Sequence, residues 1–264
     1  MGADAGEGRY LYAIVRCDRE EFLGDIGLDG SEVWALPYRE IAAAIHRCDA
    51  RPYVSDSEDR IKDWVIEHNY VIDVATERFG TVLPFSFDVI LRGDDKAVRD
   101  WIESRYESLT TELDRLSGKA EYSVQLFCDE SVLQEEILNE DPDLLDQRKA
   151  IEGQPRGSSY LLSRKIEMKL RDALRLRMAE FEEEIEKAVE DLVDGMQVLP
   201  RTTATQDERF KGKRLVSSIC CLMSEDQVPV LGRALDEMNS IKGLSVRFTG
   251  PWAPFSFARL SEDE

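Results

Sequence analysis

The chain is poor in the residues that most often carry chemistry. It has two histidines, His46 and His68, in 264 residues. A general base needs a partner and a substrate path, and the sequence supplies neither. Metalloprotease, nucleophile-elbow, Walker A and dinucleotide-binding patterns are absent. His68 falls on the inner side of a predicted helix beside Trp64 and Ile72, which reads as a hydrogen-bonded core histidine. The five cysteines (Cys17, Cys48, Cys128, Cys220 and Cys221) are odd in number and lack metal-ligand spacing. Cys220 and Cys221 are neighbours in an apolar strand-like run, so they point to opposite faces. All five read as small buried hydrophobes. No catalytic, cofactor-binding or metal residue is assigned, no cofactor is expected, and the chain is read as a non-enzyme.

Long apolar runs are missing too. Nothing approaches the ~18 residues of a membrane span, so no membrane is expected as a partner. Residues 1–7 have neither the basic nor the apolar part of a signal peptide, and the expected location is cytoplasmic. Lysine is scarce, with ten among 34 basic residues set against 54 acids, for a net charge of −20. That balance disfavours nucleic acid, whose phosphates need a positive footprint. The apolar content of 42% argues against a disordered acidic tail. Salt adaptation fits best, because concentrated salt screens acidic self-repulsion and few lysines leave few exposed methylene stems.

The hydrophobic patterning that is present gives an α+β chain. Strands are predicted at 9–17, 32–36, 41–48, 82–87 (broken by Pro84) and 120–128. The Ala42-Ala43-Ala44 run leaves 41–48 open to helix or strand, and short spacing favours strand. Helices are predicted over 57–78, entered at Ser57 and closed by Gly80, and over 94–116. Residues 130–155 are short-helical and acidic. The longest helix is expected from Ser158 or Ser159 to Val193, with Leu162, Ile166, Leu170, Leu174, Met178, Phe181, Ile185, Val189 and Leu192 on one stripe. Beyond it come strands near 196–201, at 215–223 and at 244–249, with a helix over 226–241 between the last two. Three segments result: an N-terminal α+β domain over 1–129, a connector over 130–157, and a domain over 158–264 whose short strands framing helices suggest a ferredoxin-like sandwich.

Two features remain as candidate surfaces. Arg209, Lys211, Lys213 and Arg214, with Phe210, form one cationic cluster, read as a loop complementing acidic neighbours. The segment Phe248-Thr249-Gly250-Pro251-Trp252-Ala253-Pro254-Phe255-Ser256-Phe257 is a rigid aromatic hook. Pro251 and Pro254 fix its backbone, and Trp252, Phe255 and Phe257 supply large area to bury. None of these side chains does acid, base or nucleophilic chemistry, so the hook either docks a partner or packs between domains.

The hook resembles the Gly-Pro-Trp-x-Pro-(Tyr/Phe)-Ser-Phe ending of the GvpF/GvpL family of gas vesicle proteins. Three other stretches agree in order: Leu11-Tyr12-Ala13-Ile14-Val15, His68 through Val82-Leu83-Pro84-Phe85, and Tyr160-Leu161-Leu162-Ser163-Arg164-Lys165. Together they span nearly the whole chain. One departure is visible. Arg78-Phe79-Gly80-Thr81 precedes Val82-Leu83-Pro84 where the family usually places such a stretch after it, so no role of an arginine after that proline carries over to Ser86. The resemblance implies two α+β domains, the second a modified ferredoxin-like fold. It also implies an accessory role in gas vesicle assembly, with the small hydrophobic shell protein and other accessory proteins as partners. Length and acidity tilt the resemblance to the GvpL-like branch. Pro251, Trp252, Pro254, Phe255 and Phe257 are then the candidate partner-binding residues. Two rival readings are a small-metabolite-binding regulator and a hydrolase with acids dispersed in sequence.

Overall fold

The computed structural model describes residues 6–151, 156–201 and 207–260, with side chains of 156–159 and 161 excepted. The chain forms two compact units, residues 1–121 with 251–264, and residues 122–250.

The first unit is a mixed-length antiparallel sheet with two long helices. Its strands are β1 (Glu7–Arg16), β2 (Glu21–Gly24), β3 (Val33–Tyr38), β4 (Ile41–Asp49), β5 (Val82–Pro84) and β6 (Ile90–Arg92). The order is β2-β3-β4-β1-β5, and β6 pairs with β1 beside β5. The alanine run resolves as strand. Ala42, Ala43 and Ala44 are paired on both sides, with β1 and with β3, and fully buried. Ladder bonding and burial override the helix preference that alanine has in isolation. A bulge places Tyr12 as the extra residue of β1, since Leu11 faces Ile45 and Ala13 already faces Ala44. The bulge shifts the alternation by one position, so Tyr10, Tyr12, Ala13 and Val15 all join one core cluster.

Helix α1 (Glu58–Phe79) starts where Ser57 accepts from the Arg60 N–H, and closes at Gly80 with φ of 79°. Trp64, His68, Val71, Ile72 and Ala75 face inward. Helix α2 (Asp95–Leu116) is capped by Asp94, whose carboxylate accepts from the Lys96 and Ala97 N–H groups. Val98, Ile102, Leu109, Leu113 and Leu116 are its buried stripe.

The second unit runs β7 (Lys119–Cys128), α3 (Glu130–Glu140), α4 (Pro142–Ile151), α5 (Arg156–Glu190), β8 (Gly195–Val198), β9 (Arg214–Ser224), α6 (Val228–Asn239) and β10 (Leu244–Trp252). Its sheet order is β10-β7-β9-β8. Numbered within the unit, that is 4-1-3-2 in a β-α-β-β-α-β chain, the ferredoxin-like arrangement with the first crossover enlarged to three helices. Ile166, Leu174, Met178, Phe181, Ile185 and Val189 of the α5 stripe are buried.

The compact units divide the chain differently from the sequence reading. The segment read as a connector forms α3 and α4, which bury Leu133, Ile137, Leu138 and Leu144 and pack on α5. The chain passes from the first unit to the second within β7, and returns within β10, so 251–264 group with the first unit. The long helix already runs through Ser158 and Ser159; their capping role lies outside the described side chains, as does the Gly153-Gln154-Pro155 break. The short strands β2 and β6 went unread, because four and three residues give too little alternation to count.

Candidate partner-binding site

The hook begins as strand, since β10 extends through Trp252. Beyond it the chain turns tightly. The Phe255 N–H donates to the Ala253 carbonyl at 2.8 Å, and the Phe257 and Ala258 N–H groups donate to the Pro254 carbonyl at 3.1 and 2.8 Å. Ala253 sits in the core cluster with Tyr12, Val71 and Val82. Three side chains of the first unit then hold the backbone. Glu121 accepts from the Ser256 N–H at 2.7 Å and from its hydroxyl at 2.8 Å. Arg115 donates to the Phe257 carbonyl at 2.5 Å, and Glu112 accepts from the Arg259 N–H at 2.8 Å. Arg115 also pairs with Glu112 at 2.6 Å, and the guanidinium holds the Glu112 carboxyl below its usual range. These contacts account for two nearly buried acids, Glu112 and Glu121. Sequence inspection had no signal for their part in the hook, because Ser256 and Arg259 lie more than 130 residues from them.

The three aromatics divide. Phe257 is turned inward at 9% exposure, whereas Trp252 is 52% and Phe255 39% exposed. Of the residues expected to meet a partner, Trp252 and Phe255 are therefore presented outward on a fixed backbone, and Phe257 serves the packing of the hook itself. Pro251, Trp252 and Pro254 line a cavity of about 320 Å³ with Asp73, Thr76, Glu77 and Thr81. Asp73 titrates above its ordinary value, through burial and the neighbouring Glu77 charge.

Both histidines are buried in one hydrogen-bonded network. The Tyr12 hydroxyl accepts from the Leu28 N–H at 3.0 Å and lies 2.8 Å from His46 Nδ1, while His46 Nε2 lies 3.0 Å from the Tyr53 hydroxyl. The Tyr10 hydroxyl accepts from the Asp88 N–H at 2.8 Å and meets His68 Nδ1 at 3.0 Å; His68 Nε2 donates to the Phe85 carbonyl at 3.1 Å. The Phe85 carbonyl can only accept, so neutral His68 carries its hydrogen on Nε2 and takes the Tyr10 hydroxyl hydrogen at Nδ1. Burial lowers both imidazoles to about 4 and raises both tyrosines. The network thus holds neutral groups in the core, as the sequence indicated for His68.

The cationic cluster is paired locally. Arg209 meets Asp207, Lys211 meets Glu208, and Arg214 meets Glu130, while Lys213 donates to the Ser245 hydroxyl. Cys128, Cys220 and Cys221 are buried, and Cys17 and Cys48 are half-buried. Among the described residues no cluster of His, Cys, Asp or Glu has metal-binding geometry, and no helix is long and apolar enough to cross a membrane.

The scaffold is thus two α+β units, the second with ferredoxin-like strand order, and Trp252 and Phe255 are turned outward on a held backbone. The family profile "Gas vesicle synthesis protein GvpL/GvpF" matches residues 8–259. Gas vesicle protein L1 of Halobacterium salinarum is 31% identical, over 95% of this chain and 90% of its own length. Gas vesicle protein L of Haloferax mediterranei is 32% identical, over 88% of this chain and 72% of its own. The crystal structure of GvpF from Anabaena superposes with a TM-score of 0.70 at 19% identity, covering 97% of this chain and all of that one, so the fold is shared. The chain belongs to the GvpL/GvpF family of gas vesicle proteins. The two L-type relatives come from salt-loving archaea, which agrees with the acidic composition.

Proposed function

We propose that this protein is an accessory factor of gas vesicle formation that holds the small hydrophobic shell protein, and contacts other accessory proteins, before the shell polymerises. It acts in the cytoplasm and at the growing vesicle. A short apolar subunit exposes strand edges and apolar faces that aggregate unless covered. The observation that carries the reading is the pair Trp252 and Phe255, exposed on a backbone that Glu112, Arg115 and Glu121 hold in place. An aromatic on a fixed backbone loses little conformational freedom on binding, which is the usual profile of an interface anchor.

The test is pull-down of the purified gas vesicle shell protein by this chain in about 2 M KCl, where acidic repulsion is screened. The intact chain is expected to retain the shell protein in the soluble fraction. The Trp252→Ala/Phe255→Ala double variant is expected to lose that capture with an unchanged melt. Equal capture by both proteins would remove the hook from the interface, and no capture by the intact chain would sink the holding role.

A further inference from the structure

Helix α1 has a second face that the core does not use. Opposite Trp64, His68 and Val71, the residues Asp59, Asp63, Ile66, Tyr70, Asp73 and Glu77 follow one another in alternating steps of four and three. That spacing lines them up along one side of a helix, the same spacing that forms the seam between paired helices. Ile66 is 67% and Tyr70 54% exposed, one turn apart on that side. Large apolar side chains grouped on the outward side of a helix are unusual on a surface this charged. The acids sit at both ends of the stripe. Asp59 pairs with Lys62, whereas among the described residues Asp63, Asp73 and Glu77 have no ion-pair partner.

From this arrangement we infer that the outward face of α1 docks an amphipathic helix of a partner protein, apolar at its centre and basic at both ends. The apolar centre would cover Ile66 and Tyr70, and the bases would meet Asp63 at one end and Asp73 with Glu77 at the other. Charge complementarity selects this occupant. A second copy of the same face sets acids against acids in either orientation, in a chain of net charge −20. The surface goes beyond the hook and does not require that Trp252 bind anything, although Asp73 and Glu77 also border the hook's cavity.

The experiment uses the full chain and two fluorescein-labelled helical peptides, alike in their apolar residues. One carries lysines at both ends and the other glutamates. Anisotropy at moderate salt is expected to show binding of the lysine-ended peptide only. Ile66→Ser/Tyr70→Ser is expected to weaken it about tenfold or more. Asp73→Asn/Glu77→Gln should weaken it about threefold and flatten its salt dependence. All four substituted side chains are exposed, so the melts should match the parent. Equal binding of both peptides would overturn the inference, as would unchanged affinity in Ile66→Ser/Tyr70→Ser. Self-association of the chain that this variant abolishes would also overturn it, by assigning the face to a second copy. Shell-protein capture measured on the same samples separates the two surfaces: capture retained while peptide binding is lost leaves the hook reading standing.

Discussion

The two neutral histidines make the first unit sensitive to acid in a way that can be worked out in advance. In the unfolded chain each imidazole titrates near the ordinary 6.5, and in the fold near about 4. Over that interval the unfolded state binds more protons, so stability is full above about pH 6.5 and falls as the pH drops toward 4. At about pH 4.5 the linkage amounts to about 2–3 kcal/mol for each histidine, about 5 kcal/mol for both. The loss levels off below pH 4, where both states are protonated. The perturbation is His46→Gln/His68→Gln, which removes the titration and leaves an amide near each Nε2 position to donate toward Tyr53 or the Phe85 carbonyl. Urea unfolding of parent and variant at about pH 7.5 and about pH 4.5, in constant KCl, gives the four free energies. The variant will be less stable at the higher pH, because the Nδ1 contacts of Tyr10 and Tyr12 are lost. Its change between the two pH values should nevertheless be smaller than the parent's by about 5 kcal/mol. Carboxylates titrate equally in both proteins and cancel in the comparison. Identical pH dependence of parent and variant would refute the buried-neutral assignment, as would imidazole proton resonances that titrate near 6.5 in the native chain.

Other expected outcomes follow from individual contacts. Gly27→Ala puts a methyl 2.9 Å from the Tyr12 hydroxyl and the Ser31 carbonyl, so it should cost about 2 kcal/mol in urea unfolding, and a neutral result would mean the turn yields freely. Phe257→Ala should cost about 3 kcal/mol and Trp252→Ala under about 1 kcal/mol, because one ring is inward and the other half-exposed; thermal melts of equal loss would contradict that division. Arg115→Met removes the cation beside the nearly buried Glu112 carboxylate and the donor to the Phe257 carbonyl, for an expected loss of about 2 kcal/mol. Last, the melting midpoint should rise from dilute buffer to about 2 M KCl, and equal midpoints would argue against salt adaptation.

Much of this protein was written locally. The 3.6-residue stripes placed α1, α2 and α5, because a helix that must bury one face repeats its apolar residues at that period. Ser57 marked a helix start, and the structure shows its side chain as the capping acceptor. The Gly-Pro-Trp-x-Pro ending identified a rigid aromatic segment, since proline restricts the backbone wherever it stands. Composition alone pointed to salt. Three things were decided only by tertiary structure. The alanine run became strand because β1 and β3 flank it on both sides, a condition set by residues distant in sequence. The Tyr12 bulge brought Ala13 and Val15 onto the core face that Tyr10 and Tyr12 already share, and no local pattern encodes a one-residue shift in a ladder. The hook's division into inward Phe257 and outward Trp252 and Phe255 depends on Glu112, Arg115 and Glu121, which the fold brings to it from more than a hundred residues away. Local sequence sets periodicity, caps and stiffness; which face of a stiff segment meets solvent is settled by what the rest of the chain packs against it.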